Sequence, residues 1–225
     1  MTIAAAAAFA AAAAPRRVAV FGGSFDPPTV AHVLAAASVI QAGAADACWL
    51  TPCGSRDDKP SLATSGRHRA EMCRLAIASL LVTLPVLVSD IEAAGPALPT
   101  IDLLDRLRVE HPDTQFTFVI GEDLAGDVDT WPPDGPKLAS AAYDFLVVPR
   151  AGHALAPADR AALPAHWTVA DRDAGHVELQ LSSSEVRDRL ARGGPAAAEG
   201  LVTPNVLAYI REHGLYHAQQ SSGTS

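Results

Sequence analysis

The sequence predicts an α/β protein: a parallel sheet with helices on both faces, ending in a small C-terminal helical element. Three observations predict it. Short apolar runs alternate along the chain with longer amphipathic segments. The runs are strand-length and apolar enough to be covered on both faces. The first of them, Val18 to Phe21, is followed by Gly22-Gly23 and then by a helix-opening segment, a strand–turn–helix unit. In such sheets ligands gather at the carboxyl ends of the strands, near a switch in strand order.

In chain order, a strand at Val18 to Phe21 leads to a helix over Val33 to Ala42 and a second strand at Ala47 to Thr51. Arg67 to Leu81 is a long amphipathic helix with Met72, Leu75 and Ile77 among its apolar positions. Val86 to Ser89 reads as a strand, Thr100 to Glu110 as a helix, and Phe116 to Ile120 and Phe145 to Pro149 as strands. A short strand is expected at Val177 to Leu179, then helices over Glu185 to Arg192 and Pro204 to His213, the latter stopped by Gly214. Residues 1–15, an alanine-rich stretch around Phe9, read as a disordered extension, 16–217 as one domain and 218–225 as a disordered polar tail. The Pro/Ala-rich segment Ala154 to Ala165 reads as a surface insertion.

Composition narrows the function. A chain of 225 residues with 49% apolar and 19% charged residues can bury a full core. A formal charge of −8 argues against general nucleic-acid binding, which needs a basic footprint, but not against a nucleotide held by a few local cations. Cys48, Cys53 and Cys73 are odd in number and form no C-x-x-C, so free thiols in a reducing compartment, the cytoplasm, are expected. The alanine-rich start has no basic residue before it and is too short to span a bilayer, so no membrane partner is expected. Each histidine other than His32 reads as surface or core packing rather than metal ligation, so no protein-bound metal is expected. No G-x-S-x-G elbow, P-loop or G-x-G-x-x-G fingerprint occurs.

Chemistry concentrates in a few segments. After the first strand, Gly22, Gly23, Ser24 and Phe25 precede Thr29 and His32. Backbone N–H groups, a hydroxyl and an imidazole are thereby aimed at one point beside a helix N-terminus, which favours an anion. The three-residue spacing puts Thr29 and His32 on one helical face. Farther on, Leu181-Ser-Ser-Ser-Glu-Val-Arg187 opens a helix. One serine there serves as N-cap, and three with Arg187 in the first turn form a cradle suited to a polyphosphate. Gly121 and Asp123 end a strand, with Trp131 eight residues beyond. Lys59 lies in the loop after the second strand, and Arg69, with a surface role equally open, begins the next helix.

The first segment resembles the G-x-F-x-P-x-[HT]-x-x-H signature of the nucleotidyltransferase superfamily, with Gly23, Phe25, Pro27, Thr29 and His32 in its positions. Thr29 stands where histidine is commoner and Ala31 where glycine is frequent. The serine segment resembles the superfamily's I-S-S-T-x-[IV]-R element, with Ser184 for threonine. Gly121, Asp123 and Trp131 resemble the G-x-D…W pattern of nicotinate and nicotinamide mononucleotide adenylyltransferases, and Leu201 to Tyr216 resembles their C-terminal element. The resemblance runs in unbroken order from Arg17 to Tyr216.

It implies a Rossmann-like fold and adenylyl transfer from ATP to nicotinate mononucleotide, giving deamido-NAD and pyrophosphate. Nicotinamide mononucleotide is the alternative acceptor, a choice left open by Pro99 standing where a tyrosine is expected before Thr100. The resemblance gives His32, Thr29 and Arg187 the catalytic roles. Gly22, Gly23, Ser24, Phe25, Lys59, Gly121, Asp123, Ser183 and Ser184 would hold ATP and its phosphates, and Thr100 and Trp131 the mononucleotide. Mg²⁺ is expected to arrive with ATP, and a homo-oligomer is expected. Two other readings stand beside this one: a different phosphate acceptor, disfavoured by Trp131 and the C-terminal element, and a non-catalytic nucleotide sensor, disfavoured by His32, Ser184 and Arg187 together.

Overall fold

The computed structural model describes residues 16–57, 59, 62, 64–171 and 179–216. Six strands form one sheet: β1 (Arg17–Gly23), β2 (Ala47–Pro52), β3 (Val86–Val88), β4 (Gln115–Gly121), β5 (Asp144–Val148) and β6 (Thr168–Val169). Their order is β3-β2-β1-β4-β5-β6, and every neighbouring pair is parallel. The order reverses between β1 and β4, which opens a crevice at the carboxyl ends of those two strands.

Side-chain alternation along the strands divides the core. Val18 and Val20 of β1 face the same side as Phe116, Phe118, Ile120, Phe145 and Val147, against Ile101, Leu103, Leu104 and Leu107 of α3 (Thr100–Glu110). Ala19 faces the other side with Leu50, Val119, Leu146 and Val148, against Ala36 and Val39 of α1 (Val30–Gln41) and Cys73 and Ile77 of α2 (Gly66–Leu80). Each large side chain buried in these layers contributes about 1.5–3 kcal/mol. Cys48 and Cys73 are free and pack as small apolar groups; burial pushes the Cys48 thiol up to about 12 and raises that of Cys73 as well.

Beyond the sheet lie α4 (Gly135–Leu138), α5 (Pro157–Ala162), α6 (Ser183–Gly193) and α7 (Pro204–Glu212). Val186 and Leu190 of α6 and Val206 and Ile210 of α7 close a third apolar cluster with Val33, Met72 and Ala76. The C-terminal helices therefore rest on α1 and α2, not on the sheet. Gly214 follows α7 at φ 58°, as its stop signal requires.

Some expected boundaries shift. Helices α1 and α6 start earlier, because Thr29 and Ser182 occupy the N-cap positions. The sixth strand lies at Thr168–Val169, and Leu179 belongs to no strand; residues 177 and 178 lie outside the described residues. The segment read as a plain surface insertion contains α5, which opens on Pro157. The alanine-rich start and the tail at 218–225 also lie outside the described residues. Among those described, no helix is long and apolar enough to cross a membrane.

Candidate active site

The crevice beside β1 is built from the loop after that strand. Gly22 and Gly23 are the last residues of β1, paired with Thr51 and Pro52. A Cβ on Gly22 would lie 2.7 Å from the tip of the Phe118 ring. Close aromatic packing, not a tight turn, thus requires glycine there. The turn itself falls at Phe25, a left-handed residue at φ 47°. Its buried ring sits edge-on to Phe21 and His32, with centroids 5.6 and 5.1 Å away, and this packing holds the unfavourable backbone conformation.

Thr29 and His32 meet as their spacing predicts, but within the protein. The Thr29 backbone N–H donates to His32 Nδ1 at 2.9 Å, and the Thr29 hydroxyl lies 2.8 Å from the same nitrogen. Thr29 is only 1% exposed. Because Nδ1 accepts, the neutral ring carries its proton on Nε2. Burial, helped by the positive charge of Arg150, pulls the His32 pKa down to about 4. The partly exposed imidazole is therefore a neutral N–H donor at physiological pH.

Four further groups converge on this loop. Lys59 Nζ donates to Ser24 Oγ at 2.9 Å. Arg69 is fully buried and donates to the carbonyls of Ser24 (2.7 Å), Cys53 (2.6 Å) and Thr64 (3.0 Å), so it ties the ends of β1 and β2 together rather than lying on the surface. Ser182 caps α6 by accepting from the Glu185 N–H at 3.1 Å. That leaves Ser183 to donate to the Pro27 carbonyl at 2.8 Å, while Arg187 spans from the Asp26 carbonyl at 2.7 Å to Ser184 Oγ at 3.1 Å.

Across the switch point, Gly121 ends β4 opposite Val148, and a Cβ there would lie 2.4 Å from Asp123 Oδ1. Arg150 Nη1 pairs with Asp123 Oδ2 at 2.6 Å, whereas Oδ1 is buried and has no partner among the described residues. Trp131 is half-buried and stands edge-on to Phe118, the ring that lies against Gly22, so it is joined to the β1 loop through one side chain. Thr100 is the first residue of α3 and stands apart from these contacts. Among the described residues, no three of His, Cys, Asp and Glu come together as a metal cage. Imidazole N–H, hydroxyls, ammonium and guanidinium make a donor set for phosphate oxygens.

Known proteins resemble this chain in sequence and in fold. The cytidylyltransferase-like family model matches residues 20–189, which contain both the β1 loop and the opening of α6. A probable nicotinate-nucleotide adenylyltransferase of Anaeromyxobacter dehalogenans is 35% identical over 203 residues, covering 89% of this chain and 97% of the relative. One from Clavibacter michiganensis is 36% identical over 208 residues, covering 92% and 98%. The chain belongs to the nicotinate-nucleotide adenylyltransferase family. The solved nicotinic acid mononucleotide adenylyltransferase of Plasmodium falciparum, complexed with NaAD, has the same fold: TM-score 0.74, 24% identity, 89% of this chain and 97% of that one covered.

Within this adenylyltransferase family member, Arg150 is the site residue that sequence reasoning missed. A basic residue just beyond an apolar strand, at the sheet's carboxyl edge, is the signal that points to it. Asp26 was passed over as well, and nothing local marks it.

Proposed function

We propose that this chain transfers the AMP moiety of ATP to the 5′-phosphate of nicotinate mononucleotide, releasing pyrophosphate and forming deamido-NAD. The observation that carries the reading is His32: a neutral donor with its Nδ1 engaged by Thr29 and within reach of the Arg150 charge at the switch point. The attacking phosphate is already anionic near neutral pH, since its second pKa is about 6. No general base is needed, and a histidine titrating at about 4 is suited to donate rather than to accept. Positioning and charge stabilisation then carry the reaction.

In this reading His32 Nε2–H hydrogen-bonds the α-phosphate, and Thr29 acts through His32 rather than on phosphate itself. Arg150 supplies positive charge to the transferring group. Ser184 and the free edge of Arg187 hold the outer phosphates with Lys59, and Ser183 and Phe25 shape the loop. Gly22, Gly23 and Ser24 present backbone to the nucleotide, and Gly121 and Asp123, with its unpartnered Oδ1, line the ribose side. Trp131 stacks on the pyridine ring. Thr100 opens α3, whose first N–H groups favour a carboxylate over an amide. Mg²⁺ arriving with ATP would neutralise charge on the triphosphate, with no cage of protein carboxylates to hold it among the described residues. The enzyme works in the cytoplasm as a homo-oligomer.

Pyrophosphate release with ATP and Mg²⁺, run in parallel on nicotinate and nicotinamide mononucleotides, tests the reading. A preference for the acid supports it; a preference for the amide reverses the substrate, and silence with both removes the activity.

A further inference from the structure

The C-terminal element carries no chemistry in the reading above, yet its last described residue reaches the nucleotide loop. Tyr216 adopts a left-handed backbone at φ 61°, unusual for a bulky residue. In that conformation its hydroxyl donates to Asp26 Oδ1 at 2.5 Å. Asp26 is 1% exposed and lies next to Phe25, whose ring packs on His32. The same stretch of loop is held from the C-terminal half at three other points: Asp26 O by Arg187, Pro27 O by Ser183, and the Val30 N–H by the Leu201 carbonyl at 3.0 Å. Those three bonds use backbone atoms of the loop. Among the described residues, Tyr216 alone grips the buried carboxylate.

We propose that Tyr216 is a positioning residue for adenylyl transfer: by holding the Asp26 side chain it fixes the left-handed turn at Phe25, and through the Phe25 ring the aim of His32. Burial and the adjacent carboxylate hold the phenol well above its usual range, so it remains a donor at every physiological pH. The consequence for rate rests on the adenylyl-transfer reading, whereas the strap itself does not.

The test uses the full chain carrying Tyr216→Phe, which keeps the ring and removes the donor. Leu215→Ala serves as a control: Leu215 packs on the cluster formed by α6 and α7, so its loss weakens the same region without touching the bond. Steady-state kinetics are measured with ATP and nicotinate mononucleotide, and hydrogen exchange is followed over residues 22–30. Losing a hydrogen bond to a charged group predicts kcat/KM for ATP lower by about 10- to 100-fold in Tyr216→Phe. It also predicts faster exchange in the loop, and Leu215→Ala within about twofold of the parent. Parental kinetics and parental exchange in Tyr216→Phe would overturn the proposal, as would an equal loss in Leu215→Ala. If the parent chain releases no pyrophosphate, the reaction assignment fails on its own, and exchange alone decides the strap: unchanged protection in Tyr216→Phe rejects it.

Discussion

The Thr29 N–H and the Thr29 hydroxyl both lie within 3 Å of one nitrogen of His32, Nδ1, at 2.9 and 2.8 Å. The His32 imidazole is thus oriented by the residue that caps its own helix. Thr29→Val keeps the backbone donor and the shape but removes the hydroxyl. It should lower kcat by about two- to tenfold, the value of one neutral hydrogen bond, with KM for both substrates little changed. A selective rise in KM for ATP instead would make Thr29 a phosphate ligand.

His32→Ala should lower kcat by about 10²–10³, the usual loss for one transition-state donor in a preorganised site. Circular dichroism should report an intact fold. Undiminished turnover would remove His32 from the chemistry.

The depressed pKa of His32 also sets a pH dependence of stability. Above pH 6.5 the ring is neutral in both folded and unfolded chains, and the shift has no effect. As pH falls from 6.5 toward about 4, the unfolded chain takes up a proton that the native site refuses, so stability declines across that window. Urea titrations at pH 7, 5.5 and 4.5 should show this decline, and His32→Gln should lose part of it. Equal pH slopes in the two proteins would mean that the ring titrates normally.

Arg150 is half-exposed and its pairing with Asp123 adds little to stability. Arg150→Gln should therefore shift Tm by less than about 2 °C, yet lower kcat/KM by about a hundredfold if its charge reaches the transferring phosphate. A variant equally active at low and moderate salt would leave Arg150 only its ion pair.

Arg69 presents the opposite case. Removing its guanidinium as Arg69→Met strands the carbonyls of Ser24 and Cys53 in a buried site. The cost should be about 3 kcal/mol, which is about 6–12 °C in Tm for a chain of this size. A melt within about 2 °C of the parent would show that water replaces the guanidinium.

These contrasts explain what the sequence could and could not reveal. Thr29 and His32 were legible because three residues of helix fix their separation, and the strands because apolar runs such as Val18 to Phe21 are local signals. The two-residue β6 carries too little pattern to detect, and a strand predicted at Val177 to Leu179 is not found at Leu179. Arg69 was given an equal chance of being a surface residue because its partners, the carbonyls of Ser24 and Cys53, are 45 and 16 residues away. The roles of Ser183 and Arg187 were half visible: a helix-opening cradle could be read from three serines, but not that Ser183 and one arm of Arg187 serve the loop at Pro27 and Asp26.

The bond between Asp26 and Tyr216 closes 190 residues of chain. Loops of that length form late, after nearer contacts have been made. On the ribosome, β1 and its loop emerge 190 residues before the partner of Asp26 exists. On the proposed strap, a nascent or prematurely terminated chain lacking Tyr216 carries every other residue of the candidate site and still presents a loosened loop. Synthesis through Tyr216 thereby becomes the step that commissions the site.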